Sequence, residues 1–521
     1  MNDCVIGLDF GNYNSFPCFI EDFDPNTKIG GYVHELIPPQ YHNGIPSVYF
    51  YSKKKGVFYG YDAMSSRANP ANNRLRYLKR QLGETKMVDD KMIFIDEAIT
   101  EVIQYCVRLA NTQLLENFRK TTNLISLSYP ATYTCAQRQK LIELAEKATL
   151  EDGTKVKVCG TISEPAAAAL DYLAMHGKTD KETTVLTYDL GGGTFDLALV
   201  AAYPKGRPNA FGDTYYYDII NHRGLGNIGG KEFDQAMYEL LLEKVDEELL
   251  GEELTQRESD NIRNTVAEKA KIELSSMDVV NPEIIHDDDM LDIEVTREEF
   301  EEKTKALLMQ TIELTKKILA DHPECKPEYI VLTGGSSEMP MVEQGLKKHL
   351  PEYKDKIIKF RPTMAISCGA ARFGTTEKEQ ISDTAKPTGG IVQQRVMYDI
   401  GVRLLDEMKN MRFIDNFVSA GTPIPYTSPY HSSYTVSEKQ QSSYLPVFEA
   451  KVEKPNAYSV EKDYTEIMHV TVDHGRPMPK NTETKSRILI DKNGVITIEA
   501  FSTKNQGALS KCSVELKNLN S

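Results

Sequence analysis

The sequence predicts an α/β protein made of two similar halves that face each other, followed by a β-rich C-terminal part. Three observations carry this. An acidic turn with glycine, set between two apolar strand-like runs, occurs twice, at Asp9-Phe10-Gly11 and at Asp189-Leu190-Gly191, 180 residues apart. Each turn is followed far downstream by helical sequence rich in small residues, "SEPAAAALDYL" and "AISCGAARFG". Beyond about residue 393, short alternating apolar runs take over. An internal repeat of that length implies two related lobes with a cleft between them.

The first turn lies in "CVIGLDFGNYNSFPCFI". Val5, Ile6 and Leu8 lead to Asp9, Gly11 follows, and Phe16, Phe19 and Ile20 lead out. The second, "VLTYDLGGGTFDLALV", has Val185, Leu186 and Tyr188 leading in and Leu197, Leu199 and Val200 leading out. This is the period-2 grammar of a hairpin. Glycines at such a turn are expected to take positive φ and to bring backbone N–H groups close to a large anion. An aspartate there would repel bare phosphate, so the arrangement makes sense with a divalent cation between them. Mg²⁺ is held by one or two carboxylates plus phosphate oxygens. Paired turns bearing Asp9 and Asp189 are therefore expected to grip the phosphate tail of a Mg-nucleotide. A tight hairpin with an incidental acid explains either turn alone but explains the pair poorly.

Two further glycine segments extend the pattern. "GLGNIG", Gly224 to Gly229, formally matches a dinucleotide fingerprint. That fingerprint needs a second strand ending in an acid ~20 residues on, and "LLLEKVDEELLGEELTQRESDNIRN" reads as helix instead. A P-loop fails too, because Glu232 follows Gly230-Lys231. What remains is a helix start at Gly229-Gly230, whose N–H groups and dipole can bind phosphate. "YIVLTGGSSEMPMVEQGLKKHL" reads as a strand over Tyr329 to Leu332, a Gly334-Gly335 turn and an amphipathic helix. A flat purine could slide against that turn, although strand–helix turns favour Gly-Gly for their own sake.

Bulk composition excludes several classes. The chain has 521 residues, 40% hydrophobic and 26% charged, which is long enough for several domains. No run approaches the ~18–20 apolar residues of a membrane span, and "MNDCVIGLDFGNYNS" has no secretory pattern, so a cytoplasmic protein without membrane contact is expected. A formal charge of −15 argues against a nucleic-acid partner. Eight scattered cysteines, with no C-x-x-C pair, read as reduced and partly buried thiols without zinc-ligand spacing. The ten histidines lie outside the motifs, and no Ser/His/Asp set is visible.

Asp9-Phe10-Gly11, Ser163-Glu164-Pro165, Asp189 to Asp196, Gly334-Gly335-Ser336 and Gly369-Ala370-Ala371 occur in the order and spacing of the actin-like ATPase fold, with its ribonuclease-H-like duplicated lobes. More narrowly, "YDLGGGTFD", "SEPAAAAL", "GGKEFD", "AEKAKIELSS" and "LTGGSSEMP" resemble the seventy-kilodalton heat-shock chaperones, the DnaK-like family. The resemblance covers about 1–375 well and about 395–521 more loosely. It implies an ATPase domain over 1–375, with one lobe about 1–185 and the other about 186–375, a linker over 376–392 and a substrate-binding β-sandwich over 393–521.

The resemblance also implies roles. Asp9 and Asp189 would hold the water shell of Mg²⁺, and Glu164 and Asp196 would lie near the metal and the attacking water. Thr194, Gly11, Asn12 and the backbone of Gly191, Gly192 and Gly193 would contact phosphate, as would Gly229 and Gly230. Lys79, which on sequence alone reads as a solvated helix charge, would assist hydrolysis of the γ-phosphate. Glu268, Lys271 and Ser275, on one helix face, would bind adenosine together with Gly334, Gly335 and Ser336. Pro130 would relay nucleotide state to the partner domain. The implied cofactors are ATP or ADP with Mg²⁺, and K⁺ as a further ion. The implied partners are unfolded or extended polypeptide, a J-domain protein and a nucleotide exchange factor. The chain departs from the family at Asn12 and Tyr13, where two threonines are usual, and at Ile272 and Glu338, where arginines are. Thr363 stands in place of an acid. ATP binding is thus expected with slow turnover.

In the C-terminal part, "SRILIDKNGVITIEAFS" alternates around Asp491 to Gly494, a hairpin signal. "LPVFEAKVE" and "IMHVTVDHG" alternate likewise, and "GTPIP" resembles a turn of the chaperone β-domain. "IVQQRV" is the nearest equivalent of the family's linker. "PYTSPYHSSYTVSEKQQSSYLP" reads as mobile loop. No helical lid follows the strands, so fast peptide exchange is expected. The leading reading is a lidless DnaK-like chaperone. The others are a nucleotide-sensing scaffold, and a sugar kinase or filament protein of the same fold.

Overall fold

The computed structural model describes residues 4–21, 31–39, 44–65, 67–68, 71–178, 180–208, 214–249, 252–287, 289–378, 392–452, 455–491, 494–504 and 509–513. They form two compact units. The first comprises Met1–Thr132, Leu144–Pro204 and His222–Thr384, and the second Tyr133–Glu143, Lys205–Asn221 and Ala385–Ser521.

The first unit holds two sheets of matching order. In one, Lys157–Ser163, Leu124–Tyr129, Ile6–Phe10, Asn14–Glu21 and Tyr32–Glu35 lie side by side. In the other the order is Ile357–Lys359, Tyr329–Thr333, Thr183–Leu190 and Phe195–Pro208, the last four residues of which are counted with the second unit. Each sheet has an antiparallel hairpin whose first strand continues into two parallel neighbours. The turns read from the sequence are these hairpins, Ile6–Phe10 with Asn14–Glu21 and Thr183–Leu190 with Phe195–Pro208. Their strands are apolar on both faces because both faces are covered.

The small-residue segments form the helices Glu164–His176 and Ala365–Lys378. They cross so closely that a side-chain carbon on Gly369 would lie 1.8 Å from the carbonyl oxygen of Ala167. Each helix also reaches the opposite sheet. Thr187 donates to the Pro165 carbonyl at 2.8 Å, while a Cβ on Gly7 would strike the amide of Ala371 at 2.2 Å. Asp171, fully buried, accepts from Arg372 at 2.8 Å and from Arg361 at 3.1 Å. This satisfies a charge that would otherwise be costly to bury.

In the second unit, Met411–Val418, Ile400–Asp406, Gln440–Ala450 and Tyr464–Met478 form one sheet. Tyr426–Thr427, Glu483–Ile490, Ile496–Ser502 and Ser510–Ser513 form another, with His431–Tyr434 also on Glu483–Ile490. Val402, Val447, Val470, Ile488 and Ile498 meet in one core. The expected hairpin is present, with Ile488 opposite Ile498 and Ile490 opposite Ile496.

Three expectations are corrected. The stretch taken as mobile loop contains paired strands, because its Ser, Thr and Tyr residues suit a pleated edge and His431 to Tyr434 bond to Glu483 to Ser486. Within the expected linker, helix continues to Lys378 and Val392–Arg395 is a strand beside Tyr217 and Asp218, with Arg395 forked onto Asp218 at 2.8 and 3.1 Å. Residues 379–391 of that linker lie outside the described residues. The segment after Gly230 is interrupted, since one helix ends at Leu249 and the next starts at Gln256 behind a Thr255–Glu258 capping box. No helix among the described residues is long and apolar enough to cross a membrane.

Candidate functional site

The two hairpin turns come together. A side-chain carbon on Gly192 would lie 2.1 Å from the ring of Tyr13, and one on Gly193 would lie 2.4 Å from the amide nitrogen of Asn12. This corrects the reason given for the glycines. Gly11, Gly191, Gly192 and Gly193 are absent from the positive-φ residues, whereas Gly334 is among them at +81°. Gly192 and Gly193 are needed because the side chains of the first turn lie against them.

Around this junction the structure gathers four acids and one base. Asp9, Glu164, Asp189, Asp196 and Lys79 are all buried, with Asp196 fully so. Lys79 sits in a short 3₁₀ turn, Leu78–Gln81, and pairs with Glu164. It is therefore not a solvated charge. Asp9 accepts from the Ser128 hydroxyl at 2.8 Å, and Asp196 accepts from the Ala131 amide at 2.8 Å, just past Pro130. Asp189 Oδ1 and Asp196 Oδ2 are buried without a hydrogen-bond partner.

The electrostatics follow from crowding. Burial, then the charge of Glu164, pushes Asp9 up to about 7, with Lys79 and Ser128 pulling the other way. Burial and Glu164 likewise push Asp196 up to about 7, opposed by Thr194, Ala131 and Lys79. Asp189 is driven well above the carboxylate range by burial, Glu164, Asp196 and Asp9. One lysine cannot balance four buried carboxylates. No three of these acids bring ligand atoms within 4.8 Å of one another, so a hard divalent cation would be held here through its waters.

Other candidate residues are placed as follows. Gly191 donates its amide to the Thr194 carbonyl at 3.0 Å, which closes the hairpin. The helix Gly230–Leu249 begins against the same turn: Gly230 and Lys231 donate to the Gly191 and Gly192 carbonyls at 2.9 and 2.8 Å. The Gly230 amide, expected to face phosphate, is thus engaged inside the protein. Gly229 packs on Gly193, and Ser336 stands 2.8 Å from where a Gly230 Cβ would be. Gly334 is held against Asp189, while Gly335 has open space at its Cβ position. Glu268 and Lys271 lie on the helix Ala267–Glu273, but Ser275 lies in the turn after it. Lys271 pairs with Asp234 at 2.6 Å, and Glu268 accepts from Arg76 at 3.2 Å.

Sequence reasoning missed Ser128, Tyr77 and Asp234 as members of this site. Asp234 had a signal, being four residues after Gly230 on the buried face of a helix. Tyr77 had none, since its contact with Tyr13 joins residues 64 apart.

The Hsp70 protein family model matches residues 5–520, which is nearly the whole chain and spans both units. The chain belongs to the Hsp70 protein family.

Proposed function

We propose that the chain binds Mg-ATP between its two hairpin turns, hydrolyses it slowly, and couples this to the holding of extended polypeptide. Members of the Hsp70 family are in general ATPases that use ATP or ADP with Mg²⁺ and engage unfolded polypeptides and co-chaperones. The observation that carries the reading is the buried group Asp9, Glu164, Asp189 and Asp196 around a single lysine, with two carboxylate oxygens left without partners.

Asp9 and Asp189 would hold the cation's waters. When bound, Mg²⁺ supplies the positive charge that these acids lack and draws charge from the triphosphate. Lys79 is fixed by Glu164, so its ammonium stands ready where negative charge develops. Asp196, anchored by the Ala131 amide, would take a proton from attacking water. Thr194 and the Gly192-Gly193 backbone would orient phosphate. In the second unit, Met411–Val418 is the outer strand of its sheet; its Ile414 amide already donates to the Ala457 carbonyl at 2.9 Å, so an extended peptide could add to it only beyond that point.

A second reading, a nucleotide-sensing scaffold of low turnover, is favoured by Tyr13 and Asn12 lying on the glycine turn. Calorimetric titration with ATP, with and without Mg²⁺, tests both. Saturable Mg-dependent heat is expected, and no heat at saturating nucleotide sinks both. ATPase stimulation by unfolded peptide separates the chaperone from the scaffold.

A further inference from the structure

The departure of Tyr13 from the family pattern leads to a chain of contacts that crosses from the first half of the unit to the second. Tyr77 donates to the Tyr13 hydroxyl at 2.6 Å, and their rings meet edge to face at 5.1 Å. Tyr13 donates to Asp234 Oδ2. Asp234 Oδ1 pairs with Lys271 at 2.6 Å, and Lys271 also reaches the Gly230 carbonyl at 3.5 Å. Asp234 and Lys271 are both buried.

The geometry of the chain is directional. Burial and the negative charge of Asp234 hold the Tyr13 phenol far above its ordinary value, and burial does the same for Tyr77. Both remain neutral donors, so the proton order Tyr77 to Tyr13 to Asp234 is fixed. Lys231 lies 5.0 Å over the Tyr77 ring, and Arg76 pairs with Glu268, tying the same two segments beside the chain. Tyr77 holds a left-handed backbone, φ 57°, which is costly for a residue with a side chain. It persists where surrounding contacts fix it.

We propose that Tyr13 is a clasp: in the nucleotide-free protein it locks the two halves together through Asp234 and Lys271, and nucleotide must displace it to enter. This rests on the Mg-ATP reading of the site. The Tyr13 ring and the Asn12 amide lie directly on Gly192 and Gly193, the turn that phosphate would approach. Lys271, the cation assigned to adenosine, is engaged by the clasp's own aspartate. Tyr13 is thus a specificity-determining residue that sets how tightly nucleotide binds, and it closes the site by protein contacts where a small hydroxyl residue would leave closure to the ligand.

The test uses the full chain and Tyr13→Phe, which keeps the ring and removes the donor. Tyr77→Phe serves as an independent second variant. In nucleotide-free protein, amide exchange at Gly191 to Thr194 and at Gly230 to Asp234 should rise at least tenfold in Tyr13→Phe and less in Tyr77→Phe. Calorimetry with Mg-ATP should show affinity three- to tenfold higher in Tyr13→Phe. Unchanged exchange in both variants overturns the clasp. Faster exchange with equal or weaker ATP affinity overturns the competition with nucleotide. If neither wild type nor variant takes ATP, the Mg-ATP reading fails, and the exchange arm still decides whether the halves are clasped.

Discussion

At the residue scale, Asp189 has the sharpest consequence. Its Oδ1 is buried, unpartnered and close to three other acids. Asp189→Asn should therefore lower Mg-dependent ATP affinity or turnover at least tenfold, about 1.4 kcal/mol. The same change relieves like-charge crowding, so the nucleotide-free melting temperature should hold or rise. Calorimetry beside a thermal melt reads both, and an unchanged ATPase removes the assigned role. Lys79→Ala should retain ATP binding and lose hydrolysis in a single-turnover assay. It also leaves Glu164 buried and unpaired, at a cost of about 3–5 kcal/mol, so a lower melting temperature should accompany the loss. Asp9, Asp189 and the glycine turn were legible in the sequence because strand grammar and charge chemistry act locally. Tyr13 was legible only as an oddity, because its partners Tyr77 and Asp234 are brought to it by the fold.

At the element scale, the hairpins and the two small-residue helices follow from period and composition. The sequence misled where polar strands mimic loop. His431 to Tyr434 is Ser- and Tyr-rich, yet its backbone pairs with Glu483 to Ser486, and pairing overrides polarity. It also misled at the helix start near Gly230, whose first amides bond to the Gly191 and Gly192 carbonyls. A window of sequence cannot show that long-range partner. In the second unit the Ile488–Ile498 pair lies fully buried at the centre of the core. Ile488→Ala should destabilise that unit by about 2–5 kcal/mol, measured as a shift in urea midpoint at constant slope. A shift below 0.5 kcal/mol would show that the pair does not anchor the core.

At the scale of the whole molecule, two units with their own cores predict two calorimetric unfolding transitions. Mg-ATP should raise the one belonging to the first unit, and pH should modulate the gain. Asp9 and Asp196 have folded values near 7 against an ordinary 3.8. Without a cation, the stability they contribute is fully present below about pH 4 and is lost as pH rises through 7. A bound cation favours their ionised forms and offsets that loss. The Mg-ATP gain in melting temperature should thus be larger at pH 8 than at pH 6, by roughly 1–1.5 °C for each kcal/mol recovered in a unit of this size. An equal gain at both would remove these acids from the cation's surroundings.

The contact between Gly369 and the Ala167 carbonyl has a mechanical meaning. With no room for even a methyl group, the two crossed helices cannot slide along each other, and each is fastened to the sheet from which it did not come. A motion that separated the two sheets of the first unit would have to keep this crossing intact, and Glu164, one helical turn before Ala167, would move with it.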